Sequence, residues 1–308
     1  MKNIDKNTVD GFGDEWSRFD QSFLDEEEQQ LLFNEYFSVF PWKQISTESI
    51  GFDLGCGTGR WAKLVAPKVK KLICIDPSSA LEIAKSNLSK FDNCEFEKAT
   101  VDEMPIKDNS MDFGYSLGVL HHVPNTALGI KQCVQKLKSG APLLLYLYYR
   151  FDNRPWWFKL IWFITDLLRK IVSKMPYQLR YISSQIIALL IYLPLARTAF
   201  FLEKLNFNVN NFPLTSYRNL SFYTMRTDAL DRFGTRLEQR FTREEIKYMM
   251  QNAGLENIKF SNLIESLKIP LKKVAIELNQ EIMDKKKLNR IILKKNDKIE
   301  IVHFIGGG

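Results

Sequence analysis

The feature that most restricts the possible folds is a glycine-rich turn between a short apolar strand and a helix. The segment Gly51-Phe-Asp-Leu-Gly-Cys-Gly-Thr-Gly-Arg60 places three alternate glycines, Gly55, Gly57 and Gly59, directly after the predicted strand. Alternate glycines allow a tight turn and let backbone N–H groups approach a ligand closely. We therefore expect a nucleotide-type ligand at the carboxyl end of this strand.

Strand and helix patterns alternate around this turn. Helical patterns occupy the first 48 residues, where Ser22 is a plausible N-cap. Short apolar runs indicate strands over 49–54, 71–75, 94–98, 111–117 and 141–149. Between them, helical spacing covers 58–66, 79–91 and 127–137. Such alternation predicts an α/β fold of the Rossmann-like type, with a mostly parallel sheet and helices on both faces.

The alternation ends after residue 150. We expect a helical insertion over about 151–240, in which 155–205 forms a cap over an acceptor pocket and packs on the sheet edge. The alternative is peripheral membrane contact through the same residues, because aromatic and apolar side chains alternate there with basic ones. The basic candidates for anionic lipid are Lys159, Arg169, Lys170, Lys174 and Arg180.

Two further patterns concern the insertion and the segment after it. The apolar run 182–195 is short for a membrane-spanning helix, and Pro194 and Arg197 interrupt its extension. A polar, irregular segment is expected up to residue 239. A helix then covers 242–253, with Thr242 as N-cap, Glu245 three residues on and Gly254 after its end. We expect a sixth strand over 257–260.

Composition argues against several classes of function. The net charge of +7 arises largely from a lysine-rich stretch over 268–298 without interleaved aromatics, which favours a solvated basic face over nucleic-acid binding. The four cysteines form no C-x-x-C pair and no histidine cluster joins them, so no metal site is expected. Residues 1–16 are polar and lack a signal-peptide core, which favours a cytoplasmic location.

Two carboxylates near the turn indicate which ligand it holds. Asp53 would repel a pyrophosphate but suits the sulfonium and ammonium groups of S-adenosylmethionine, which has no phosphate. Asp76 follows the second strand, 19 residues after Gly57, where an acid accepts hydrogen bonds from ribose hydroxyls. A dinucleotide fingerprint would need glycine at position 60, which is Arg60. An NAD-dependent oxidoreductase is therefore the weaker alternative.

These residues give the chain a resemblance to the class I methyltransferases, in the subgroup with a His-His-Val/Ile segment after the fourth strand. The matching motifs are Asp53-Leu-Gly-Cys-Gly-Thr-Gly59, Ile75-Asp76, Met104-Pro105, Asp112-Phe-Gly-Tyr-Ser-Leu117 and Leu120-His-His-Val123. The resemblance covers about residues 1–260. It implies S-adenosylmethionine-dependent methyl transfer to a small-molecule or lipid-like acceptor. It also implies that Asp53 and Gly55 hold the methionine moiety and that Asp76 holds the ribose.

The resemblance implies further contacts around the cofactor. Thr100 and Val101 stand where the family often has Asp-Ala, so the backbone N–H of Val101 is expected to serve the adenine, with Asp102 as the fallback. Ser116 and Leu117 are expected on the methionine side. Residues 13–19 form either a lid over the cofactor, as is common in the family, or a helix packed outside the sheet.

The acceptor side is expected near the end of the fifth strand. His121 and His122 are candidates for a general base, although a packing role is the favoured alternative. The strand ends in Tyr146, Tyr148, Tyr149 and Arg150, and functional loops cluster at the carboxyl ends of strands.

A second resemblance covers 261–308, which is similar to the ubiquitin-like sulfur carrier of thiamine biosynthesis and ends in Gly306-Gly307-Gly308. It implies an adenylating enzyme as partner and a thiocarboxylate at Gly308. The carrier's first hairpin and the methyltransferase's seventh strand both lack a counterpart near 260–264, so we interpret the chain as two joined parts, 1–260 and 261–308. Residues 274–278 are a candidate replacement for that strand. A cofactor-binding remnant without catalysis is the remaining alternative.

Overall fold

The short apolar runs form one parallel sheet whose strands alternate with helices. The chain is described by a computed structural model over residues 2–151, 155–209, 212–260, 274–278, 281–282 and 299–303. It divides into two units, Met1–Lys259 and Phe260–Gly308. The strands of the first unit are β1 (Ile50–Leu54), β2 (Lys71–Ile75), β3 (Cys94–Glu97), β4 (Phe113–Leu117) and β5 (Leu143–Tyr146). They pair in parallel in the order β3-β2-β1-β4-β5.

Helices cover both faces of this sheet, as the sequence predicts for a Rossmann-like α/β fold. Those around the sheet are α1 (Lys6–Arg18), α2 (Glu26–Tyr36), α3 (Ala62–Val65), α4 (Ala80–Asn87), α5 (Thr126–Lys136) and α10 (Arg243–Asn252). One apolar core joins α2 and α4 to the sheet through residues such as Phe33, Leu81 and Phe113, and a second places Ile130 of α5 against Phe52. The strand order places β1 at the centre, so its carboxyl end opens between two neighbouring strands.

The insertion after β5 is helical, as predicted. It contains α6 (Trp156–Val172), α7 (Tyr177–Ile187), α8 (Leu193–Lys204) and α9 (Phe222–Gly234). A core of its own joins Val172, Ile187, Ala196 and Met225. Residues 222–234 were expected to be irregular, and that expectation is wrong. Ser221 caps α9 by accepting the N–H of Thr224, and seven residues of the helix are buried.

Local chemistry also corrects the predicted bounds of three other elements. Asp25, rather than Ser22, caps α2, because its carboxylate accepts the N–H groups of Glu27 and Glu28. The helix predicted over 58–66 is limited to α3, since the glycine turn holds the chain in left-handed conformations up to Gly59. The strand predicted over 257–260 does not form, and Asn257 lies at φ +51°, outside the extended region.

Two predictions about helix ends have different outcomes. The capping box at Thr242 and Glu245 is confirmed, since each side chain accepts the other residue's backbone N–H. Pro194, in contrast, does not end the apolar helix. A single π-helical turn, Ala188–Tyr192, precedes it, so the proline stands in the first turn of α8. The missing N–H of proline is tolerated in a first turn.

The second unit contains a small antiparallel sheet in its described part. Its strands are β6 (Val274–Leu278), β7 (Glu281–Ile282) and β8 (Ile299–His303), in the order β7-β6-β8. Val274–Leu278 therefore pairs with Ile299–His303 and Glu281–Ile282, and does not take the alternative place of a seventh methyltransferase strand. The predicted helix over 262–267 and the Gly306–Gly308 tail lie outside the described residues.

Candidate functional site

The glycine turn is built by backbone hydrogen bonds between the ends of β1 and β2. The N–H groups of Gly55 and Cys56 both donate to the carbonyl oxygen of Ile75, at 2.7 and 3.1 Å. Gly55, Gly57 and Gly59 have φ values of +75°, +54° and +78°. Side-chain-bearing residues adopt this region only with strain, so the three alternate glycines are required by the turn itself.

Space around the turn is equally restrictive. A Cβ atom on Gly55 would lie 2.2 Å from the side chain of Val119, and one on Gly59 would lie 2.8 Å from Leu88. At Gly57 the nearest atom would be the indole nitrogen of Trp16, at 3.3 Å. The turn can therefore pack against its neighbours only where Cβ atoms are absent. Gly57 faces the aromatic wall of a cavity.

Asp76 closes the turn from the end of β2. One oxygen of its carboxylate accepts the N–H of Gly57 at 2.9 Å, and the other accepts the N–H and the hydroxyl of Ser78 at 2.8 and 2.6 Å. These bonds hold the carboxylate at the rim of a cavity that Gly55, Gly57 and Asp76 line together. The predicted ribose acceptor thus lies beside the predicted glycine cradle.

The cavity extends from this turn to the segments after β3 and β4. We call it the glycine-turn cavity. Thr100 and Val101 line it after β3, and Leu117 and Gly118 line it after β4. Asp102, the fallback contact, is not in the lining. Its carboxylate accepts the hydroxyl of Thr100 at 2.7 Å and the backbone N–H of Asn3 at 3.1 Å.

Asp53 and Ser116, two of the predicted contacts, do not line this cavity. The hydroxyl of Ser116 donates to the carbonyl oxygen of Leu54 at 3.0 Å and so joins β4 to β1. Asp53 is 2% exposed and lies opposite Tyr115 on β4. Its Oδ2 atom has no hydrogen-bond partner among the described residues.

Burial sets the protonation state of Asp53. It raises the pKa of this carboxyl to about 8, against a smaller opposing effect of the nearby Tyr115 hydroxyl. Tyr115 lies close enough to influence the charge, but its hydroxyl completes no hydrogen bond of normal geometry. Asp53 is therefore mostly protonated at neutral pH when no cation is close to it. In the structure Asp53 is a buried acid beneath the turn, outside the lining of the glycine-turn cavity.

The paired histidines occupy different positions. His122 lines the glycine-turn cavity, whereas His121 is fully buried and stacks on Tyr148 with ring centroids 3.8 Å apart. The Nδ1 atom of His122 lies 2.6 Å from the carbonyl oxygen of Leu237, which only accepts, so Nδ1 carries the proton. Burial lowers the pKa of both imidazoles, that of His121 strongly, so both are neutral at pH 7.

The N-terminal helix forms one wall of the cavity. Its lining residues include Thr8, Phe12 and Trp16, preceded by Asn3 and Asp5. The range predicted as a possible lid, 13–19, contains one residue of this wall, Trp16. The prediction missed six others: Asn3, Ile4, Asp5, Thr8, Val9 and Phe12. The side chain of Asn3 exchanges two hydrogen bonds with the backbone of Asn125, at 2.9 and 2.8 Å. The sequence feature that could have indicated this wall is Asp5, the N-cap of α1, whose carboxylate accepts the N–H of Thr8.

The residues after β5 contact two different parts of the molecule. Tyr148 turns inward, and its hydroxyl donates to Asp231 of α9 at 2.5 Å. Tyr149 bridges to Phe241, and Arg150 pairs with Glu245 at 3.0 Å, so these two fasten the chain ahead of α10. Tyr146 is 41% exposed, and its ring lies 4.8 Å from that of Tyr36. The end of β5 thus contacts the helical insertion through Tyr148.

This geometry fits S-adenosylmethionine. The glycine cradle and the Asp76 carboxylate at its rim suit a ligand that carries ribose hydroxyls. Residues 52–145 match the family described as methyltransferase domain, and residues 251–308 match the ThiS family.

Curated relatives agree with both matches. The chain is 30% identical over 99 residues to the sterol 4-C-methyltransferase strm-1 of Caenorhabditis elegans, covering 30% of this chain and 29% of that protein. It is 43% identical over 47 residues to the sulfur carrier protein ThiS of Bacillus subtilis, covering 15% of this chain and 71% of that protein. The chain thus carries a methyltransferase domain, and its C-terminal segment belongs to the ThiS family.

The extent of these similarities is limited. The chain spans between a fifth and two fifths of the length of the curated methyltransferases that it matches. Among solved structures, the N-methyltransferase NodS of Bradyrhizobium japonicum in complex with S-adenosylhomocysteine is 20% identical, with a TM-score of 0.38. The alignment covers 46% of this chain and 72% of that one. The fold assignment rests on the strand order and the glycine turn.

Proposed function

We propose that this protein transfers a methyl group from S-adenosylmethionine to an acceptor held beneath the helical insertion. The observation that carries the proposal is the junction of Gly57 and Asp76, where a backbone N–H and a carboxylate meet at the rim of the glycine-turn cavity. Asp76 is placed to accept hydrogen bonds from ribose hydroxyls, and the N–H of Val101 is available on the adenine side of the lining.

The chain's own residues position the reactants and exclude water. When bound, the sulfonium supplies an activated methyl group, so alignment of the acceptor can provide most of the rate enhancement. Phe12 and Trp16 of α1 cover the cavity from outside. His122, neutral and fixed by Leu237, borders the cavity on the side facing α9. We assign it a positioning role, with proton acceptance as the alternative.

The acceptor is proposed to be lipid-like, because the insertion exposes a broad apolar face. One side of α6–α8 packs on α9 in the core of the insertion, as expected of a buried cap, but many apolar side chains of these helices are exposed. Phe163 is 62% exposed and Leu167 is 56% exposed. Other large apolar side chains on this face are at least two-fifths exposed: Trp156, Leu160, Ile161, Ile164, Ile171, Leu179, Ile182, Ile186, Leu189, Leu190, Ile191 and Phe201. Exposed apolar surface of this extent marks an interaction site.

We infer that this face, called the apolar face below, rests on the cytoplasmic surface of a membrane. Lys159, Lys170 and Lys174 are exposed on the same helices and can approach anionic headgroups. Arg169 and Arg180 were predicted to join them, but both are buried, and Arg169 instead pairs with Asp166 at 2.8 Å. The stretch Tyr177–Lys204 is also long and apolar enough to cross a membrane by composition. Its packing on α9 favours a peripheral position.

Calorimetric titration of the full chain with S-adenosylmethionine and, separately, with NAD tests the first part of the proposal. We expect saturable binding of S-adenosylmethionine and none of NAD. Transfer of a tritiated methyl group into a membrane lipid extract tests the second part. Absence of S-adenosylmethionine binding would overturn the proposal. Binding without transfer to lipid or polar extracts would favour the non-catalytic remnant.

The ThiS segment supports a second candidate function, which is sulfur transfer after activation of the C-terminal glycine. The specific observation is the 43% identity to ThiS, which extends over 71% of that protein. We propose that the segment does not act as a carrier, because the first hairpin of that fold has no counterpart in the sequence before residue 261. About 48 residues are also too few to bury a stable core alone.

A further inference from the structure

A second group of polar side chains lies between the end of β5 and the insertion. Helix α9 presents Asp228 and Asp231 one turn apart, and Tyr148 donates to Asp231. The charge of Asp228 raises the pKa of four further tyrosine hydroxyls, which therefore lie within its electrostatic reach. These four are Tyr36, Tyr146, Tyr192 and Tyr217. Together with Glu15 of α1, these residues define what we call the acid–tyrosine chamber.

The ring of Tyr146 is the accessible one of this group. It keeps 41% of its surface exposed, so a ligand can reach it. This ring lies 4.8 Å from that of Tyr36, and the rings of Tyr192 and Tyr217 lie 5.2 Å apart, centroid to centroid. Of these two pairs of rings, one joins α2 to β5 and the other lies within the insertion.

Negative charge exceeds positive charge in this chamber. Among the described residues, Arg60 is the cation whose charge lowers the pKa of both Glu15 and Asp228. The neighbouring guanidinium groups of Arg232 and Arg240 are engaged by Glu238, at 2.9 and 2.8 Å. Burial raises the pKa of Asp228 to about 6 and that of Glu15 well above its usual range. In their ionised forms, the carboxylates of the chamber therefore carry negative charge that neighbouring cations do not fully balance.

Two buried atoms point to a ligand that donates hydrogen bonds. The Oε1 atom of Glu15, a residue 3% exposed, and the Nε2 atom of His122 have no partner among the described residues. Since Nδ1 of His122 carries its proton, Nε2 offers a lone pair, and it lies 4.0 Å from an oxygen of Asp231. The lone pair of His122 and the Asp231 oxygen therefore face each other as two acceptors, and a donor between them would satisfy both.

We propose that the acid–tyrosine chamber binds the positively charged amine group of the methyl acceptor. The tyrosine faces would attract a cation, the Asp228 and Asp231 carboxylates would pair with it, and Glu15 and His122 would accept its N–H hydrogen bonds. His122 lines the glycine-turn cavity and its Nε2 atom lies 4.0 Å from an oxygen of Asp231, so the acid–tyrosine chamber lies next to that cavity. This inference rests on the proposed methyltransferase function and specifies the chemical class of its acceptor.

The test uses choline and its uncharged carbon isostere, 3,3-dimethylbutan-1-ol, as probes for calorimetry on the full chain. Both are titrated with and without saturating S-adenosylhomocysteine. We expect choline to bind at least about tenfold more tightly than the isostere. Asp228→Asn should remove most of that difference, whereas Asp108→Asn, an exposed carboxylate paired with Lys136, should not change it. Equal affinity for the two probes, or no binding of either, would overturn the inference.

Ring variants separate packing from cation binding. Tyr146→Phe keeps the aromatic face and should retain most of the choline affinity, whereas Tyr146→Leu should lose about fivefold or more. Equal effects of the two variants would contradict the role of the ring face. Titration with S-adenosylhomocysteine is an independent measurement. Failure to bind it would overturn the proposed function, while discrimination between the probes reports on the chamber alone.

Vesicles distinguish a lipid headgroup from a free amine as the source of the cation. Flotation with vesicles of phosphatidylglycerol alone is compared with flotation after addition of phosphatidylethanolamine. If the headgroup is the source, the amine lipid increases binding of the parent and not of Asp228→Asn. If the acceptor is a free amine, the two vesicles bind equally and only choline distinguishes the variants.

Discussion

The backbone N–H of Gly57 donates to the carboxylate of Asp76 across a distance of 2.9 Å, which ties the glycine turn to the end of the second strand. The two residues are 19 positions apart in the sequence. The bond leaves Asp76 with a structural role in the turn in addition to its proposed role toward a ribose. The two roles can be separated by experiment.

Replacement of Asp76 by alanine should weaken S-adenosylmethionine binding by roughly 1.5–3 kcal/mol, the range for hydrogen bonds to charged groups. Asp112→Ala is the matched control. Asp112 also accepts a backbone N–H, that of Ile50 at 2.9 Å, but it is not in the lining of the glycine-turn cavity. The Asp112→Ala variant should have a lower free energy of unfolding and an unchanged dissociation constant for S-adenosylmethionine. Equal losses of cofactor affinity in both variants would show that Asp76 acts only through the fold.

Gly55→Ala should abolish most cofactor binding and destabilise the protein. The left-handed φ costs about 1–2 kcal/mol for a residue with a side chain, and the collision with Val119 adds to it. Gly140→Ala supplies the comparison, because Gly140 has φ +77° but no atom within 4 Å of its Cβ position. Chemical denaturation should show a clearly larger loss for Gly55→Ala. Similar losses would mean that the close approach to Val119 can relax.

Asp53 should make stability depend on pH. Its pKa is about 8 in the folded protein and about 3.9 in an unfolded chain, so the folded state binds more protons between these values. The stabilising contribution is complete below about pH 4 and is lost as the pH rises towards 8, with a slope of up to about 1.4 kcal/mol per pH unit. In the Asp53→Asn variant, the free energy of unfolding measured with urea should depend less on pH. The raised pKa values of Glu15 and Asp228 change stability with pH in the same direction. The quantity to compare is therefore the difference between the pH profiles of the parent and of Asp53→Asn. Parallel profiles would contradict the raised pKa.

The apolar face should bring the protein to anionic liposomes at low salt. Replacement of Phe163 and Leu167 by glutamate removes apolar surface from α6 and adds negative charge, so the floated fraction should fall several-fold. Phe23→Glu is the control, because this ring is 82% exposed but lies between α1 and α2. High salt should weaken the parent's binding through Lys159, Lys170 and Lys174. No co-migration of the parent at low salt would remove the membrane proposal.

The ThiS segment should not be converted to a thiocarboxylate. The chain is incubated with the adenylating enzyme, ATP and a sulfur donor, and its intact mass is then measured. We expect no change, because the sequence before residue 261 offers no counterpart of the hairpin that begins the carrier fold. The ThiS protein of Bacillus subtilis is the positive control. A mass gain matching exchange of one carboxylate oxygen for sulfur would establish sulfur transfer as a second function.

The sequence was most informative where function depends on local backbone geometry. Positive φ values require glycine, so the turn at Gly55–Gly59 and its distance to Asp76 could be predicted. The bounds of β2 and the capping box at Thr242 also depend on neighbouring residues. In each case, the determining atoms lie within a few positions of one another along the chain.

Contacts between distant residues could not be predicted in the same way. Asn3 reaches Asn125 across 122 positions, and no local pattern indicates that pairing. The burial of Asp53 depends on which side of β1 faces Tyr115, which is decided by the assembled sheet. Apolar residues such as Phe163 fit a buried or an exposed helix face equally well in sequence. Their accessibility became known only from the packing of α6 on α9.

Helix α1 borders both proposed sites, with Trp16 against the glycine turn and Glu15 in the acid–tyrosine chamber. Because one helix borders both sites, a ligand that holds α1 in place at one site should strengthen binding at the other. Cofactor and acceptor should therefore retain each other, and the lifetime of each bound product should depend on whether the other is still present.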